Sequence, residues 1–420
     1  MDGLVPDSVI VATPSPNGCD RQELMSRQYS VLDAFAGAGG FSLGFEHAGY
    51  KISGAIEIDA WAAETFQANH PEAKVVQRDI SLIPDSDLSR MFSESPPDLI
   101  IGGPPCQGYS ICNVGSGDPK DPRNSLFKDF IRLGKIYRPK AMIMENVPNI
   151  VKAKTDDGIP VVDIIRRELE GLGYNVYAKV LQAIDYGVPQ IRKRYLVVAS
   201  QRSLINPFPQ PTHYWGNDDV PNLSHAGLKK CPTLWEAISD LHWLKAGEGS
   251  EEADYQKEAE NPFQEATRAG SERVYNHIAM KHTKRIIERF SAMGWGVPVS
   301  SLPEHLRPRK RNSGDVAEVV YDQNNRRLFP HRPSHTLPAS FYANFVHPFA
   351  HRNFTPREGA RIQTFPDTFV FKGKPTVVSQ KLLAREGRSE ELHLCQYVQI
   401  GNAVPPLLAK ALAENLTKQI

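Results

Sequence analysis

Several groups of side chains in this sequence have types and spacings suited to covalent chemistry. Gly102-Gly103-Pro104-Pro105-Cys106-Gln107 sets a thiol on a turn directly after the apolar run Asp98-Leu99-Ile100-Ile101. Such a run reads as a buried parallel strand, and open α/β sheets place their sites at the carboxyl ends of these strands. Two prolines restrict the backbone, and two glycines let it approach a ligand closely. A lone loop cysteine is as often a small packing residue as a nucleophile, so its partners decide.

Two partners follow downstream. Met144-Glu145-Asn146-Val147-Pro148 places Glu145 at the end of an apolar strand, where partial desolvation suits a carboxyl that hands a proton to a weakly basic ring nitrogen. In Gly187-Val188-Pro189-Gln190-Ile191-Arg192-Lys193-Arg194, strand alternation puts Gln190, Arg192 and Arg194 on one face. Guanidiniums on a face entering a sheet are costly without anionic or carbonyl partners, so this strand is expected to hold an electrophile or a phosphate. The competing expectation is an edge strand with a solvated charged face.

A further group has the pattern of a nucleotide site. Asp33-Ala34-Phe35-Ala36-Gly37-Ala38-Gly39-Gly40 follows the first strand, and Glu57 ends the second, 20 residues after Gly37. A glycine turn at a helix start and a carboxylate for ribose hydroxyls are what an adenosine-type cofactor needs. Asp79 ends the third strand, where it can accept from an adenine amino group. At this level a nicotinamide dinucleotide and S-adenosylmethionine fit equally.

The elements that must position these residues form a strand–helix alternation beginning at Tyr29. Expected strands are 29–35, 51–57, 74–77, 98–102, 141–145, 175–182 and 194–199; expected helices are 41–48, 60–69, 125–137 and 161–172. That order predicts an α/β fold, a Rossmann-like, mostly parallel sheet with helices on both faces. Beyond residue 200 the texture becomes irregular. The expected division is a disordered lead-in over 1–27, a catalytic and cofactor-binding domain over 28–200, a smaller irregular domain over 201–394, and a segment over 395–420 returning to the first domain. The last segment carries Gly401-Asn402-Ala403-Val404-Pro405-Pro406 and a helix from Leu407 to about Thr417.

With 420 residues the chain is long enough for two or three domains, taking about 150 residues per domain as the prior. No apolar run reaches membrane-spanning length and no secretory signal is visible. Five cysteines with no C-x-x-C pair speak against a disulfide framework or a structural zinc site and for a reducing, cytoplasmic setting; no metal is expected. Net charge is only +1, yet residues 281–335 hold eleven Lys/Arg against five Asp/Glu. This local excess, with the cluster Arg307, Arg309, Lys310 and Arg311, fits either a solvated face or a phosphate footprint; Arg285, Arg307, Arg309 and Arg311 within it, and Arg273 before it, are the candidate readers if the partner is a nucleic acid.

Taken in order, these motifs resemble the DNA (cytosine-5)-methyltransferases of bacterial restriction–modification systems. Thr233-Leu234-Trp235-Glu236-Ala237-Ile238-Ser239-Asp240-Leu241 and Arg357-Glu358-Gly359-Ala360-Arg361-Ile362-Gln363-Thr364-Phe365-Pro366-Asp367 add to the likeness. It spans 29–417 except for much of 201–325, where that family carries its variable target-recognition region. The resemblance implies the class I S-adenosylmethionine-dependent fold and a target-recognition domain. It implies Cys106 as the nucleophile toward C6 of a flipped-out cytosine, Glu145 at N3 and the exocyclic amine, and Arg192 as a third catalytic residue that positions the ring. It places Phe35, Gly37, Gly39, Gly40, Glu57, Ile58, Asp79, Ile80, Pro105, Leu126 and Asn402 around S-adenosylmethionine, which leaves as S-adenosylhomocysteine. Gln107, Ser110, Arg123, Gln190 and Arg194 fall on the DNA side. Duplex DNA is the implied substrate, a restriction endonuclease the functional partner, and a monomer the expected state. Ile58 stands where many relatives carry an aromatic against adenine.

Other classes fit less well. A nicotinamide-dependent oxidoreductase shares the glycine turn and Glu57 but has no use for Pro-Cys with Gln-x-Arg-x-Arg downstream. A tRNA cytosine-5 methyltransferase of the same superfamily usually shows Cys-Phe-Thr, which does not occur here.

Overall fold

The computed structural model describes residues 28–105, 125–155, 157–216, 226–309, 314–316, 322, 325–376, 383, 385–388 and 392–420. The expected lead-in, and Cys106, Gln107, Ser110, Arg123 and Arg311, lie outside the described residues.

The strands come where short apolar runs predict them: β1 (Ser30–Ala34), β2 (Lys51–Glu57), β3 (Lys74–Gln77), β4 (Leu99–Gly102), β5 (Ala141–Asn146), β6 (Asn175–Gln182) and β7 (Lys193–Ser200). They form one sheet in the order β3-β2-β1-β4-β5-β7-β6. The first five neighbours pair in parallel, whereas β7 runs antiparallel to both β5 and β6. Side chains alternate between two buried layers. Val31, Leu99, Ile101, Ile143, Leu196 and Val198 enter one core, and Leu32, Ile100, Met142, Met144 and Val197 enter the other. A sheet buried on both faces needs such continuous apolar strands.

Helices cover both layers. On one side lie α1 (Gly40–Glu46), α2 (Ala60–Asn69) and the C-terminal helix. On the other lie α3 (Asp85–Met91), α4 (Leu126–Tyr137) and α5 (Val161–Gly171). The sequence reading omits α3, whose burial rests on Leu88 alone, too little for an apolar period.

Beyond residue 200 the elements are short: α6 (Leu234–Ile238), an antiparallel pair β8 (Gly249–Asp254) and β9 (Arg273–Ile278), α7 (Pro262–Arg268), α8 (Lys284–Ser291) and α9 (Pro356–Ile362). Their main core joins Leu234, Val274, Phe341, Phe354, Ile362 and Phe365 to Ala38 and Leu43 of the first region. A smaller cluster gathers Phe290, Met293, Val299, Leu302 and Leu306 around α8.

The chain then returns through α10 (Gln396–Asn402) and α11 (Pro406–Thr417). Leu408, Leu412 and Leu416 of α11 enter the sheet's core beside Phe41 and Phe45. Contact with α1 is close because Gly44 has no side chain: a Cβ there would lie 2.3 Å from that of Ala409.

Candidate active site

The proposed site lies at the carboxyl ends of β1, β2, β4 and β5, where a parallel sheet opens toward a ligand. Glu145 is the penultimate residue of β5 and is buried. Its Oε1 lies 2.5 Å from Nε of Arg194, at the start of β7. Strand register explains the meeting: antiparallel β7 sets Leu196 opposite Glu145 and Tyr195 opposite Asn146, leaving Arg194 just beyond the end of β5. A buried carboxylate and a guanidinium in contact offset each other's desolvation.

The turn after β4 is held against the same strand end. Asn146 Nδ2 donates to Pro104 O at 3.0 Å, while its Oδ1 accepts from Val147 N–H at 2.9 Å. Gly103 leaves room for the carboxyl; a Cβ there would come 3.1 Å from Glu145 Oε2. Pro105 is half-buried and is the last described residue before Cys106. Sequence reasoning assigned Asn146 no role; its signal was a side-chain amide directly after a strand-end carboxylate.

Arg192 goes elsewhere. It is fully buried, and its terminal nitrogens donate to Leu337 O (3.0 Å), Gly401 O (2.8 Å) and Ala403 O (3.1 Å), with a longer bond to Gln190 Oε1 (3.4 Å). Burial, then the neighbouring Arg194, lowers its proton affinity, and Glu145 opposes this. Its described contacts therefore tie β7 to the C-terminal segment. Gln190, expected on the DNA side, is completely buried. Its Nε2 donates to Gln363 Oε1 at 2.8 Å and its Oε1 accepts from Leu337 N–H at 2.9 Å, which removes it from any DNA surface. The stretch expected to be one strand divides here: Gln190–Ile191 pairs in parallel with Ser334–His335 in a separate two-stranded ladder, and β7, from Lys193, lies between β5 and β6.

Two of the cofactor candidates, Gly37 and Glu57, meet directly. Gly37 N–H donates to Glu57 Oε2 at 2.7 Å, and Asp59 N–H donates to Oε1 at 2.9 Å. Burial pushes the Glu57 carboxyl up from its ordinary value, while those backbone bonds pull it down. Phe35 and Gly37 have φ of 59° and 55°, and Gly39 has φ of 96°. At Gly39 a Cβ would meet His70 Nε2 and Phe66 Cδ2 at 2.9 Å, so conformation and space both require glycine there. Gly40 touches the returning chain, since a Cβ on it would lie 2.6 Å from Val404 O; Asn402 is exposed two residues before that contact.

Ile58, directly after β2, is 63% exposed and offers an aliphatic side chain. Asp79 is half-buried and caps the short 3-10 turn Ile80–Leu82 through Ser81 N–H (2.9 Å) and Ser81 Oγ (2.7 Å); Ile80 is buried and Leu126, opening α4, is half-buried. These residues fit an adenosine group. The Glu57 carboxylate, with about four lone-pair positions, accepts backbone N–H groups and keeps capacity for a ribose hydroxyl.

The candidate base readers fare differently. Arg273 pairs with Glu252 and Asp254, Arg285 donates to the His305 and Arg307 carbonyls, and Arg307 and Arg309 bond Leu302 O and Gly314 O. These donors serve local structure. Charge counting along the chain does not register such internal bonds.

Residues 29–418 match the C-5 cytosine-specific DNA methylases. The chain belongs to that family. Type II methyltransferase M.DdeI of Desulfomicrobium norvegicum is 46% identical over 391 residues, covering 92% of this methylase and 88% of that protein. Type II methyltransferase M1.HphI of Haemophilus parahaemolyticus is 34% identical over 390 residues, covering 93% and 87%. Among solved structures, an E. coli prophage-encoded protein assigned as a DNA modification methyltransferase superposes with a TM-score of 0.67 at 25% identity, covering 93% of this chain and 99% of that one. The sheet order and the single antiparallel strand agree with the class I S-adenosylmethionine-dependent fold. Among the described residues, no helix of the methylase is long and apolar enough to cross a membrane.

Proposed function

We propose that this methylase modifies C5 of a cytosine rotated out of a specific duplex DNA sequence, through a covalent bond between Cys106 and C6. The observation that carries the reading is the Glu145–Arg194 pair at 2.5 Å, set beside the Pro104 turn that leads into Cys106. A stacked base cannot present C6 to a thiol, so the target must leave the helix at a cost of a few kcal/mol.

S-adenosylmethionine, when bound, supplies the methyl group; Glu57, the glycine turn, Ile58, Asp79, Ile80, Pro105, Leu126 and Asn402 would hold it. The chain's own residues prepare the base. The Cys106 thiolate forms the S–C6 bond as the C5–C6 π pair moves to C4–C5 and the C4–N3 π pair moves onto N3, which takes a proton, leaving an enamine nucleophilic at C5. Glu145, sharing a proton with N3 and accepting from the exocyclic amine, favours that shift. Arg194 fixes the carboxyl and reaches the ring's polar edge, so we place the ring-positioning role on Arg194. Arg192 acts from behind as a brace. Once C5 carries the methyl, loss of the C5 proton expels the thiolate and restores the double bond. A thiol of ordinary pKa near 8.5 is only a few per cent thiolate at neutral pH, so deprotonation must be assisted at this site.

Ser110 and Arg123 would close on the extruded nucleotide, and Gln107 would line the same turn. The division at residues 200 and 394 then marks roles, catalysis against target recognition, within one continuous packing scheme. A cytoplasmic monomer paired with a restriction endonuclease completes the reading. Its test is Cys106→Ala, which should abolish methyl transfer and keep DNA binding; turnover by that variant would remove Cys106 from the reaction.

A further inference from the structure

Arg132 lies on α4, six residues beyond Leu126, and its guanidinium crosses to the loop that follows β3. One terminal nitrogen donates to Ile83 O at 2.9 Å and to Asp85 Oδ1 at 3.1 Å. The other donates to Ile80 O at 2.6 Å and lies 3.2 Å from Asp129 Oδ1. Its side chain is only 23% exposed.

The bridged loop is capped by Asp79 and anchored in the core by Ile80 and Ile83, and Arg132 ties it to α4. It runs through a single 3-10 turn, Ile80–Leu82, and Leu82 is 71% exposed at its tip. Arg132 holds the carbonyls at both ends of that turn, Ile80 O and Ile83 O, and so sets the tilt of the turn against α4. Acidic groups crowd the same place: burial pushes the Asp129 carboxyl up, Arg132 opposes this, and Asp79 and Asp85 add smaller upward pushes. A planar guanidinium can satisfy two carbonyls and neighbouring carboxylates together, which a point charge cannot do.

We propose that Arg132 is a positioning residue for the adenine end of the cofactor site, holding the Asp79–Ile80 loop at a fixed distance from Leu126. The inference rests on the reading that these residues hold S-adenosylmethionine. Arg132 lies behind the loop and acts through it.

The test is calorimetric titration of the full chain with S-adenosylhomocysteine, comparing wild type, Arg132→Met, Arg132→Lys and the surface control Arg90→Met. Met keeps the apolar stem and removes every donor. Arg132→Met should bind about tenfold more weakly, with Arg132→Lys intermediate and Arg90→Met unchanged. At saturating cofactor, kcat and the KM for duplex DNA should stay within about twofold of wild type, a split that general loosening of the fold would not give. If Arg132→Met does not fold, Arg132→Lys decides: a dissociation constant equal to wild type overturns the proposal. Equal losses in cofactor binding and in DNA KM overturn it as well. Wild type failing to bind S-adenosylhomocysteine would remove the cofactor reading and this proposal with it. Normal wild-type binding with unaffected Arg132 variants would remove this proposal alone.

Discussion

Arg194 meets Glu145 through Nε at 2.5 Å, whereas Arg192, two residues earlier and just before β7, spends its terminal nitrogens on the carbonyls of Leu337, Gly401 and Ala403. The two arginines should therefore fail differently. Arg194→Met removes a charged partner at the proposed chemistry and should lower kcat by about 10²–10³-fold. Arg192→Met should act first on stability, lowering the thermal midpoint by several degrees, with remaining activity following the folded fraction. Single-turnover rates and thermal unfolding of both variants separate the cases. A larger loss of kcat in correctly folded Arg192→Met than in Arg194→Met would contradict this division.

The split between these arginines shows what the chain made legible. Burial alternates along this stretch, with Gln190, Arg192 and Arg194 buried and Ile191 and Lys193 exposed, although the strand expected there is split between two sheets. Which of them reaches Glu145 depends on the register of antiparallel β7 against β5, and a run of apolar residues carries no register. The Gly37–Glu57 contact was readable because its parts are local to two strand ends. The burial of Gln190 was not, since Gln363 lies 173 residues away. Short α3 escaped for lack of an apolar stripe, and Arg285, Arg307 and Arg309 looked available because their carbonyl partners leave no mark in composition.

Asp33 supplies a pH signature. Burial pushes its carboxyl from an ordinary 3.8 to about 7, even though Ser42 Oγ donates to it at 2.7 Å. A raised acid means that the folded chain keeps a proton which the unfolded chain has lost. Its cost to stability is therefore absent below about pH 4, grows through the interval, and is complete above about pH 7. Asp33→Asn, whose carbonyl can still accept from Ser42, should flatten the decline in urea midpoint between pH 5 and pH 8. An unchanged slope would show that Asp33 does not carry it.

Gly39→Ala places a methyl 2.9 Å from His70 and Phe66 on backbone at φ of 96°. The expected result is a destabilisation of about 1–3 kcal/mol together with weakened binding of S-adenosylhomocysteine, because the turn and the cofactor share this backbone. Chemical denaturation with calorimetric titration checks both. Undisturbed binding would detach the turn from the cofactor.

Arg361 is fully buried and bonds Asp240 Oδ1 at 2.5 Å and both oxygens of Asp367 at 2.9 and 2.6 Å. Arg361→Met would strand two buried carboxylates, with Arg268 and Arg357 as their remaining cationic neighbours at 3.4 and 3.5 Å. A loss of about 3–5 kcal/mol is expected, measured by urea unfolding. A loss below about 1 kcal/mol would mean that the second arginine of each carboxylate suffices.

The central claim, transfer of a methyl group to C5 of cytosine in duplex DNA, is tested most directly by the chemical identity of the product. Duplex DNA incubated with the purified protein and methyl-labelled S-adenosylmethionine, then hydrolysed to nucleosides, should carry its label as 5-methylcytosine. Label appearing as N4-methylcytosine, or only in tRNA offered alongside, would contradict the account.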